Sequence, residues 1–451
     1  MDQETIEQLK TLDASKRVIV VLFKWRYPFF TNLEAMKKPQ DAALIGYFAR
    51  QIQPKLTNEQ LAHFDKVLWF DADYGDFARV YVNSDETKVP QIEEFVKELV
   101  EVVSPTKLHL LETEEFMIHP VAALRQKYGI PGPTNADLTR LRDKQWLKEH
   151  AATHSLPSAK FIVFDGSQKN SAVTSAEKIE AIIGSYPMFA KPIHGVGGGG
   201  GGRIDGRAQL DEWVAAREND EQTYLIEEYV EGREFWAVFA LLQSGERRLL
   251  YLIHLPADQS MHASLSAGRP IAYIGLNVKD MKFEFPGIKN FLDDVITAFD
   301  PPHPHIFCIQ GFQTKPAAHE YKLTELAYRI NGARGTGISY NASGVSLETA
   351  LLMCHLDPDY QAEPDSKHNC NIRHISLWYP KIEGILVNQT SLPATLTSEH
   401  EIRWYALPGE KMKSATSVAD FICSVHLAHQ QKETLMKEAD YLRMNWTPEV
   451  Q

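Results

Sequence analysis

Residues 186–203 read YPMFAKPIHGVGGGGGGR, and the rest of the chain is interpreted outward from this stretch. The residues before Lys191 are apolar enough to form a short strand. Lys191 then places a mobile positive charge just before a run of glycines at positions 197–202. Because glycine has no Cβ, its backbone N–H groups can approach phosphate oxygens closely. We therefore expect a polyphosphate-binding loop that orders over its ligand.

Three other interpretations of the glycine run are weaker. A Walker-type loop needs Gly-Lys-Ser/Thr at its end, whereas Arg203 and Ile204 follow here. A dinucleotide-binding turn needs an acid about 20 residues on, at the end of a strand. Glu218 and Asp220 lie at that distance, but no clear strand ends there. A flexible linker fits poorly, since the glycines separate two ordered-looking segments rather than two domains.

A second segment favours a nucleotide site. Residues 224–235 read YLIEEYVEGREF, an apolar strand, an acidic hinge, a glycine turn and the start of another strand. This segment resembles the nucleotide hinge of the ATP-grasp enzymes. The resemblance implies that the backbone of Glu228 and Val230 contacts the adenine edge. It also implies that Glu234 binds the ribose hydroxyls.

Two further segments resemble the same family, in the expected order. Residues 143–148, DKQWLK, open a helix whose Lys144 the resemblance directs toward the phosphates. Residues 323–332, LTELAYRING, resemble the family's metal strand, which implies that Glu325 ligates magnesium and that Arg329 faces the phosphoryl group and a substrate carboxylate. Period-2 alternation puts Glu325, Ala327 and Arg329 on one strand face. Carboxylate oxygens suit magnesium, and a guanidinium binds a carboxylate or phosphate through two parallel bonds.

The resemblance thus predicts three groups of residues. The nucleotide site comprises Lys144, Lys191, Gly197, Gly198, Gly199, Gly200, Gly201, Glu227, Glu228, Tyr229, Val230 and Glu234. The metal site comprises Glu325 and Gln313, and the catalytic residues are Arg329 and Lys191.

Two positions depart from the family pattern. Ala327 stands where an asparagine is usual, although ligases of the L-amino-acid (dipeptide) type also lack that asparagine. The neighbouring strand usually offers an acid. Here it offers Gln313, or Gln310 if the hairpin is longer, and the nearest acid, Glu320, falls in the turn. An amide can ligate magnesium but neutralises no charge, so weaker metal binding and loss of activity both stay open.

Composition is that of an ordinary enzyme of two or three domains. The chain has 451 residues, of which 44% are hydrophobic and 24% are charged. Its net charge of −12 argues against nucleic acid or an anionic membrane as the main partner. No apolar run approaches the roughly 20 residues of a membrane span. The start is acidic rather than signal-like, and the four cysteines are irregularly spaced, so we expect a cytoplasmic protein.

The predicted fold class is α/β, with a Rossmann-like domain at residues 1–114 preceding an ATP-grasp domain at 115–451. Strands are expected at 17–23, 67–70, 107–111 and 401–405. Helices are expected at 91–102, 347–355 and 417–429. Within the second domain we expect a glycine-rich lid at about 153–228 and a C-terminal lobe at about 231–451. Residues 261–269 are placed near the substrate by their chain position alone.

The function implied by the resemblance is an ATP-dependent carboxylate–amine ligase. It would use ATP with Mg²⁺, or Mn²⁺ in its place, to join a small carboxylate to an amine, with amino acids as the expected substrates. Two alternatives stay open: an enzyme that makes carboxyphosphate from bicarbonate, as biotin carboxylase does, and an ATP-binding pseudoenzyme with a regulatory role. The oligomeric state is open, with a homodimer as one option.

Overall fold

The structure is a computed structural model of the chain, and it describes residues 1–25, 28–29, 31, 33–71, 90–167, 175–193, 200–217, 220–332, 335–416 and 420–451. In this part of the chain, no helix combines the length and the apolar character needed to cross a membrane.

The N-terminal part contains a parallel four-stranded sheet. Its strands are β1 Val18–Lys24, β2 Ala42–Ala49, β3 Lys66–Phe70 and β4 Leu108–Glu112, in the order β3-β2-β1-β4. Every residue of β1 and β2 is buried, as expected for parallel strands that are covered on both faces. The predicted strands at 17–23, 67–70 and 107–111 are confirmed, and β2 is an additional one.

A second four-stranded sheet follows. Its strands are β5 Phe161–Asp165, β6 Met188–Pro192, β7 Gly202–Ile204 and β8 Thr223–Glu228, paired antiparallel in the order β5-β8-β6-β7. Strand β6 alternates between buried and half-buried residues, so Met188 and Ala190 enter the core while Lys191 faces the opposite side. The glycine run connects β6 to β7.

The large central sheet is antiparallel and has eight strands, in the order β13-β12-β9-β10-β11-β14-β18-β16. Its strands are β9 Arg233–Leu241, β10 Arg247–His254, β11 Ile271–Asn277, β12 His305–Lys315, β13 Glu320–Ala327, β14 Arg373–Pro380, β16 Glu399–Trp404 and β18 Phe421–His429. A small sheet holds β15 Gly384–Asn388, β17 Lys411–Met412 and β19 Glu449–Val450.

The described α-helices lie against these sheets. They are α1 Gln3–Ser15, α2 Asn58–Leu61, α3 Pro90–Val100, α4 Ile118–Tyr128, α5 Asn135–Arg140, α6 Lys144–Thr153, α7 Ala176–Ile183, α8 Arg207–Ala215, α9 Met261–Ser266, α10 Val278–Glu284, α11 Ile288–Phe299, α12 Gly335–Ser343, α13 Leu347–Leu356 and α14 Lys432–Asn445. Short 3-10 helices occur at Arg50–Lys55, Pro105–Lys107, Glu115–Met117 and Pro316–Ala318.

The central sheet separates two hydrophobic cores. Along β9, Phe235 and Ala237 belong to the core that helices α6, α11 and α14 cover. The alternate residue Val238 belongs to the core that α12, α13 and the parallel sheet cover, and Trp236 packs against that core. The cavity described below opens on the Trp236 face. The predicted domain boundary after residue 114 falls between β4 and α4, and it stays a prediction.

One predicted element is wrong. The helix expected at 417–429 is strand β18, Phe421–His429, and positions 417–419 lie outside the described residues. Strand β18 lies between β14 and β16, and almost all of its residues are buried. A strand that is buried on both faces has no polar alternation, so its sequence is hard to distinguish from that of a buried helix. The predicted helix at 347–355 and the strand at 401–405 are confirmed as α13 and β16.

Candidate active site

A cavity between the β5–β8 sheet and the central sheet gathers most of the predicted residues. It is lined by Lys144, Lys191, Gly201, Glu227, Glu228, Tyr229, Val230, Glu234, Glu325 and Arg329. Gly197, Gly198 and Gly199 lie outside the described residues. Gly200 is placed beside the cavity with a φ of +75°, where a Cβ would come within 2.9 Å of Pro192 Cγ. This position therefore requires glycine.

Two lysines hold a buried carboxylate at the start of the hinge. Glu227 Oε1 lies 2.7 Å from Lys191 Nζ, and Glu227 Oε2 lies 2.8 Å from Lys148 Nζ. Burial alone would raise the pKa of Glu227, but the two lysines outweigh it and lower that pKa to about 2. Burial would lower the pKa of Lys191, but Glu227 and Glu325 raise it. Lys191 therefore stays charged inside the protein.

Lys144 enters the cavity from the first turn of α6. The Asp143 side chain accepts the Trp146 N–H at 2.8 Å and caps this helix, which explains the Asp-Lys pattern in the sequence. Lys144 Nζ donates to the Ile193 carbonyl at 3.3 Å and lies 3.5 Å from Glu325 Oε1. Lys191 Nζ lies 4.0 Å from the same oxygen. Two cations thus flank the Glu325 carboxylate.

Part of the hinge backbone already forms hydrogen bonds within the protein. The Glu228 N–H donates to the Lys160 carbonyl at 3.0 Å, and the Tyr229 N–H donates to the Pro187 carbonyl at 3.1 Å. In the part of the chain that the structure describes, the Val230 N–H donates to no protein acceptor. Val230 lines the cavity, so this N–H can reach a ligand there.

Glu234 lies just beyond the hinge turn, and two neutral donors hold its carboxylate. Gln310 Nε2 donates to Glu234 Oε1 at 3.0 Å, and the Met261 N–H donates to Oε2 at 3.2 Å. Burial raises the pKa of Glu234 to about 7, and these two hydrogen bonds offset only part of that rise. Met261, His262 and the nearby Leu265 line the cavity, as the position of residues 261–269 predicts.

The register between β12 and β13 decides which amide lies beside Glu325. Gln310, not Gln313, pairs directly with Glu325, because irregularities after Gln310 and Gln313 shift the hairpin. Gln313 is buried outside the cavity, and its Oε1 accepts Arg233 Nη2 at 2.8 Å. The predicted ligand Gln313 therefore lies away from the cavity, and the longer-hairpin alternative, Gln310, is the amide that faces it.

Arg329 lies at the other end of the cavity. Strand β13 ends at Ala327, but the alternation continues, so Glu325, Ala327 and Arg329 all reach the cavity. Arg329 Nε donates to Glu115, and Arg142 Nε lies 3.0 Å from the other Glu115 oxygen. Burial alone would raise the pKa of Glu115, but Arg329 and Arg142 lower it to about 2. A charged carboxylate therefore fixes the position of Arg329.

Three charged residues of the site were not predicted from the sequence: Lys148, Glu115 and Arg142. Lys148 follows Lys144 by four positions, and this spacing puts both on one helix face, a signal that was available. Glu115 and Arg142 belong to segments that flank the helical region, and no local pattern marks them.

Three solved structures share this fold over nearly the whole chain. An L-amino acid ligase from Bacillus licheniformis has a TM-score of 0.63 at 13% identity, covering 94% of this chain and 96% of that chain. An N5-carboxyaminoimidazole ribonucleotide synthetase from Thermotoga maritima has a TM-score of 0.57 at 15% identity, covering 94% and 98%. The biotin carboxylase domain of Hydrogenobacter thermophilus 2-oxoglutarate carboxylase, complexed with MgADP, ADP and bicarbonate, has a TM-score of 0.58 at 13% identity, covering 96% and 90%.

These likenesses show the fold. The chain has the ATP-grasp fold that its motifs predict, and the predicted fold class is confirmed. No family model matches the chain, and no curated protein matches it in sequence.

Proposed function

We propose that the chain is an ATP-dependent carboxylate–amine ligase that forms a peptide-like amide bond and releases ADP and phosphate. The observation that carries this proposal is the arrangement around Glu325. Two lysines, Lys144 and Lys191, flank one carboxylate between a nucleotide hinge and the arginine Arg329. Cations beside a single acid suit a triphosphate with its metal, and the arginine suits a second anion.

In this proposal the hinge end binds ATP. Lys191 and Lys144 would neutralise the phosphates, and Lys191 is held in place by Glu227. The Val230 N–H would donate to the adenine edge, and Glu234 would bind the ribose hydroxyls. A similar carboxylase domain is complexed with MgADP, which supports a nucleotide as a ligand of this fold.

Glu325 and Gln310 are the side chains that would hold Mg²⁺. Among the described residues, no group of three His, Cys, Asp or Glu side chains is placed to hold a metal. Mg²⁺ commonly binds through one or two protein oxygens plus substrate phosphates, and Glu325 and Gln310 offer a carboxylate and an amide side by side. A bound Mg²⁺ would supply positive charge for the phosphates. Because the amide is neutral, this site carries less negative charge than one with two acids.

Arg329 would hold the reacting carboxylate near the phosphates. In the first step, the carboxylate attacks the terminal phosphorus of ATP and ADP leaves. In the second step, the amine attacks the acyl carbon of the acylphosphate, phosphate leaves, and the amine loses a proton. The protein contributes mostly position and charge, through Lys144, Lys191 and Arg329. We infer that the substrates are amino acids, since the L-amino acid ligase is among the similar structures.

The test is ADP release from ATP and Mg²⁺ in the presence of pooled amino acids, of small carboxylates, or of bicarbonate. A ligase gives ADP and an amide product with an amino-acid pool. ADP release with bicarbonate alone would favour the carboxyphosphate reaction. ATP binding without turnover on any pool would favour the pseudoenzyme, for which the neutral Gln310 is the specific observation. The cytoplasmic location and the homodimer stay predictions.

Lysine variants test the nucleotide assignment separately. Lys144→Ala removes a charged contact, so ATP affinity measured by calorimetry should fall at least about tenfold. Lys160→Ala is the matched control, because Lys160 is exposed and only its backbone carbonyl contacts the hinge. Equal ATP affinities in the two variants would contradict the assignment.

A further inference from the structure

Five neighbouring strands place one residue each in a single row across the cavity floor. Glu325 pairs with Gln310, Gln310 with Trp236, Trp236 with Ile253, and Ile253 with Gly275. Directly paired residues of a sheet project from the same face. All of these residues except Gly275 line the cavity, so the row extends from its charged end into its interior.

The chemistry changes along this row. An acid and an amide are followed by an indole ring, an alkyl side chain and a glycine. At Gly275 a Cβ would lie 3.0 Å from Ala342 Cβ and 3.2 Å from Ile338 Cγ2. Helix α12 therefore packs directly against the sheet at Gly275, and the row of cavity residues ends there. The apolar end is a closed wall, whereas the acidic end faces the two lysines.

A second aromatic ring completes this wall. The Tyr273 ring lies 6.0 Å from the Trp236 ring, and Tyr273 is only 5% exposed. Neither the Tyr273 hydroxyl nor Trp236 Nε1 has a hydrogen-bond partner among the residues that the structure describes, although both side chains line the cavity. Both groups can therefore donate a hydrogen bond to a molecule in the cavity. We use the name apolar subsite for Trp236, Ile253, Leu265, Tyr273 and Ile338.

We propose that the apolar subsite binds the side chain of the substrate whose carboxylate is activated, and that this side chain is large and apolar. This inference rests on the ligase function proposed above. Strand spacing of about 4.8 Å puts the Cα of Trp236 about 10 Å from that of Glu325 and the Cα of Ile253 about 14 Å away. A carboxylate held by Arg329 near Glu325 thus leaves room for a side chain to extend over the rings. Bicarbonate has no side chain to fill this space.

Binding, rather than turnover, tests this proposal directly. The protein is saturated with a non-hydrolysable ATP analogue and Mg²⁺, and amino acids are titrated by calorimetry. L-Leucine and L-phenylalanine should bind at least about tenfold more tightly than glycine or L-aspartate, since even one methylene in an apolar pocket discriminates by about that factor. L-Leucinamide lacks the carboxylate and should bind at least about tenfold more weakly than L-leucine. Equal affinities for leucine and glycine, or for leucine and leucinamide, would overturn the proposal.

Two variants locate the binding. Trp236→Ala removes the ring, and Leu265→Asp places a charge at a half-buried position of the subsite, where misfolding is less of a concern. Each should weaken leucine binding at least about tenfold while the ATP analogue binds as in the wild type. The matched control is Trp404→Ala, a half-buried tryptophan on strand β16 that does not line the cavity. Unchanged leucine affinity in both subsite variants would overturn the assignment.

The two proposals fail in different ways. If leucine binds as described but no pool yields ADP, the ligase reaction is wrong and the subsite stands. If ADP forms with glycine, aspartate or bicarbonate but not with apolar amino acids, the subsite is wrong and ATP-dependent chemistry stands.

Discussion

Glu227 and Glu234 flank the same hinge, and both are almost completely buried, with 5% and 4% exposure. Their pKa values nevertheless differ, at about 2 for Glu227 and about 7 for Glu234. Burial raises both values, but Glu227 faces two lysines and Glu234 faces two neutral donors. The comparison teaches that neighbouring charges, rather than depth, decide which acid keeps its charge.

The most damaging change should be Glu227→Gln. It keeps the shape but leaves Lys148, which has no exposed side-chain surface, without its counter-charge. Breaking a buried pair in this way typically costs about 3–5 kcal/mol, so the free energy of unfolding at pH 7 should fall by about that amount. Urea denaturation measures it.

Glu228→Gln is the matched control for this variant. The next residue in the chain, Glu228, pairs with Lys322, but both side chains are partly exposed. Partly exposed ion pairs contribute at most about 1 kcal/mol to the free energy of unfolding. Equal losses of stability in the two variants would show that the buried lysine is not the cause.

Glu234→Gln should change the pH dependence of stability. The folded pKa of Glu234, about 7, lies above its ordinary value of 4.5, so the folded protein binds more protons between these pH values than the unfolded chain does. Stability therefore falls as pH rises through this window, by up to about 3 kcal/mol. The variant should lack this fall. Urea denaturation of the metal-free and nucleotide-free proteins at pH 5 and pH 8 measures it, and equal pH dependence in both would contradict the pKa assignment.

Glu227 should make stability depend on pH in the opposite direction, and the same denaturation experiment measures this. Its folded pKa is lowered, so its contribution to stability is present above pH 4.5 and is lost as pH falls toward 2. The two acids of the hinge should therefore give opposite slopes in different pH ranges.

The Glu115→Gln variant extends the comparison from a carboxylate held by lysines to one held by arginines. Glu115 lies between Arg329 and Arg142, but these side chains keep 15–23% exposure, so water can screen the unpaired charges. We expect a loss of about 2 kcal/mol in unfolding free energy, which is smaller than for Glu227→Gln. A loss as large as that of Glu227→Gln would mean that exposure is not what separates the two clusters.

The smallest effect concerns the metal. Gln310→Glu places a third acid between Glu234 and Glu325 and should raise Mg²⁺ affinity in the presence of ATP about tenfold, or about 1.4 kcal/mol. Gln313→Glu is the control, because Gln313 faces Arg233 outside the cavity. Magnesium titrations of the two variants should differ, and a gain in Mg²⁺ affinity in Gln313→Glu alone would favour Gln313 over Gln310 as the ligand.

Local patterns were enough to find the residues that each motif presents to the cavity. Lys144, Lys191 and Glu325 come from segments whose caps, strand alternation and turns lie within a few positions of them. The spacing from Lys144 marks the helix face of Lys148, but not its pairing with Glu227, because the two residues are far apart in the chain and only the tertiary fold brings them together. The pKa contrast across the hinge therefore could not be predicted.

The register between neighbouring strands was the second feature that could not be predicted from the sequence. The distance from Glu325 back to its partner depends on the irregularities in the β12–β13 hairpin, and one extra residue on a strand changes which amide lies opposite. Strand β18 was mistaken for a helix for a related reason, because burial on both faces removed the alternation by which strands are detected. In both cases the missing information was the neighbouring strand.

The row from Glu325 to Gly275 also bears on how such a protein can diverge. Each residue in it comes from a different strand, so a single mutation can alter one position along the row while its sequence neighbours stay unchanged. Adjacent positions are separated by about one strand spacing, 4.8 Å. Under the proposed function, substrate preference in descendants of this chain would therefore shift in discrete steps of length, with Lys144 and Lys191 unchanged.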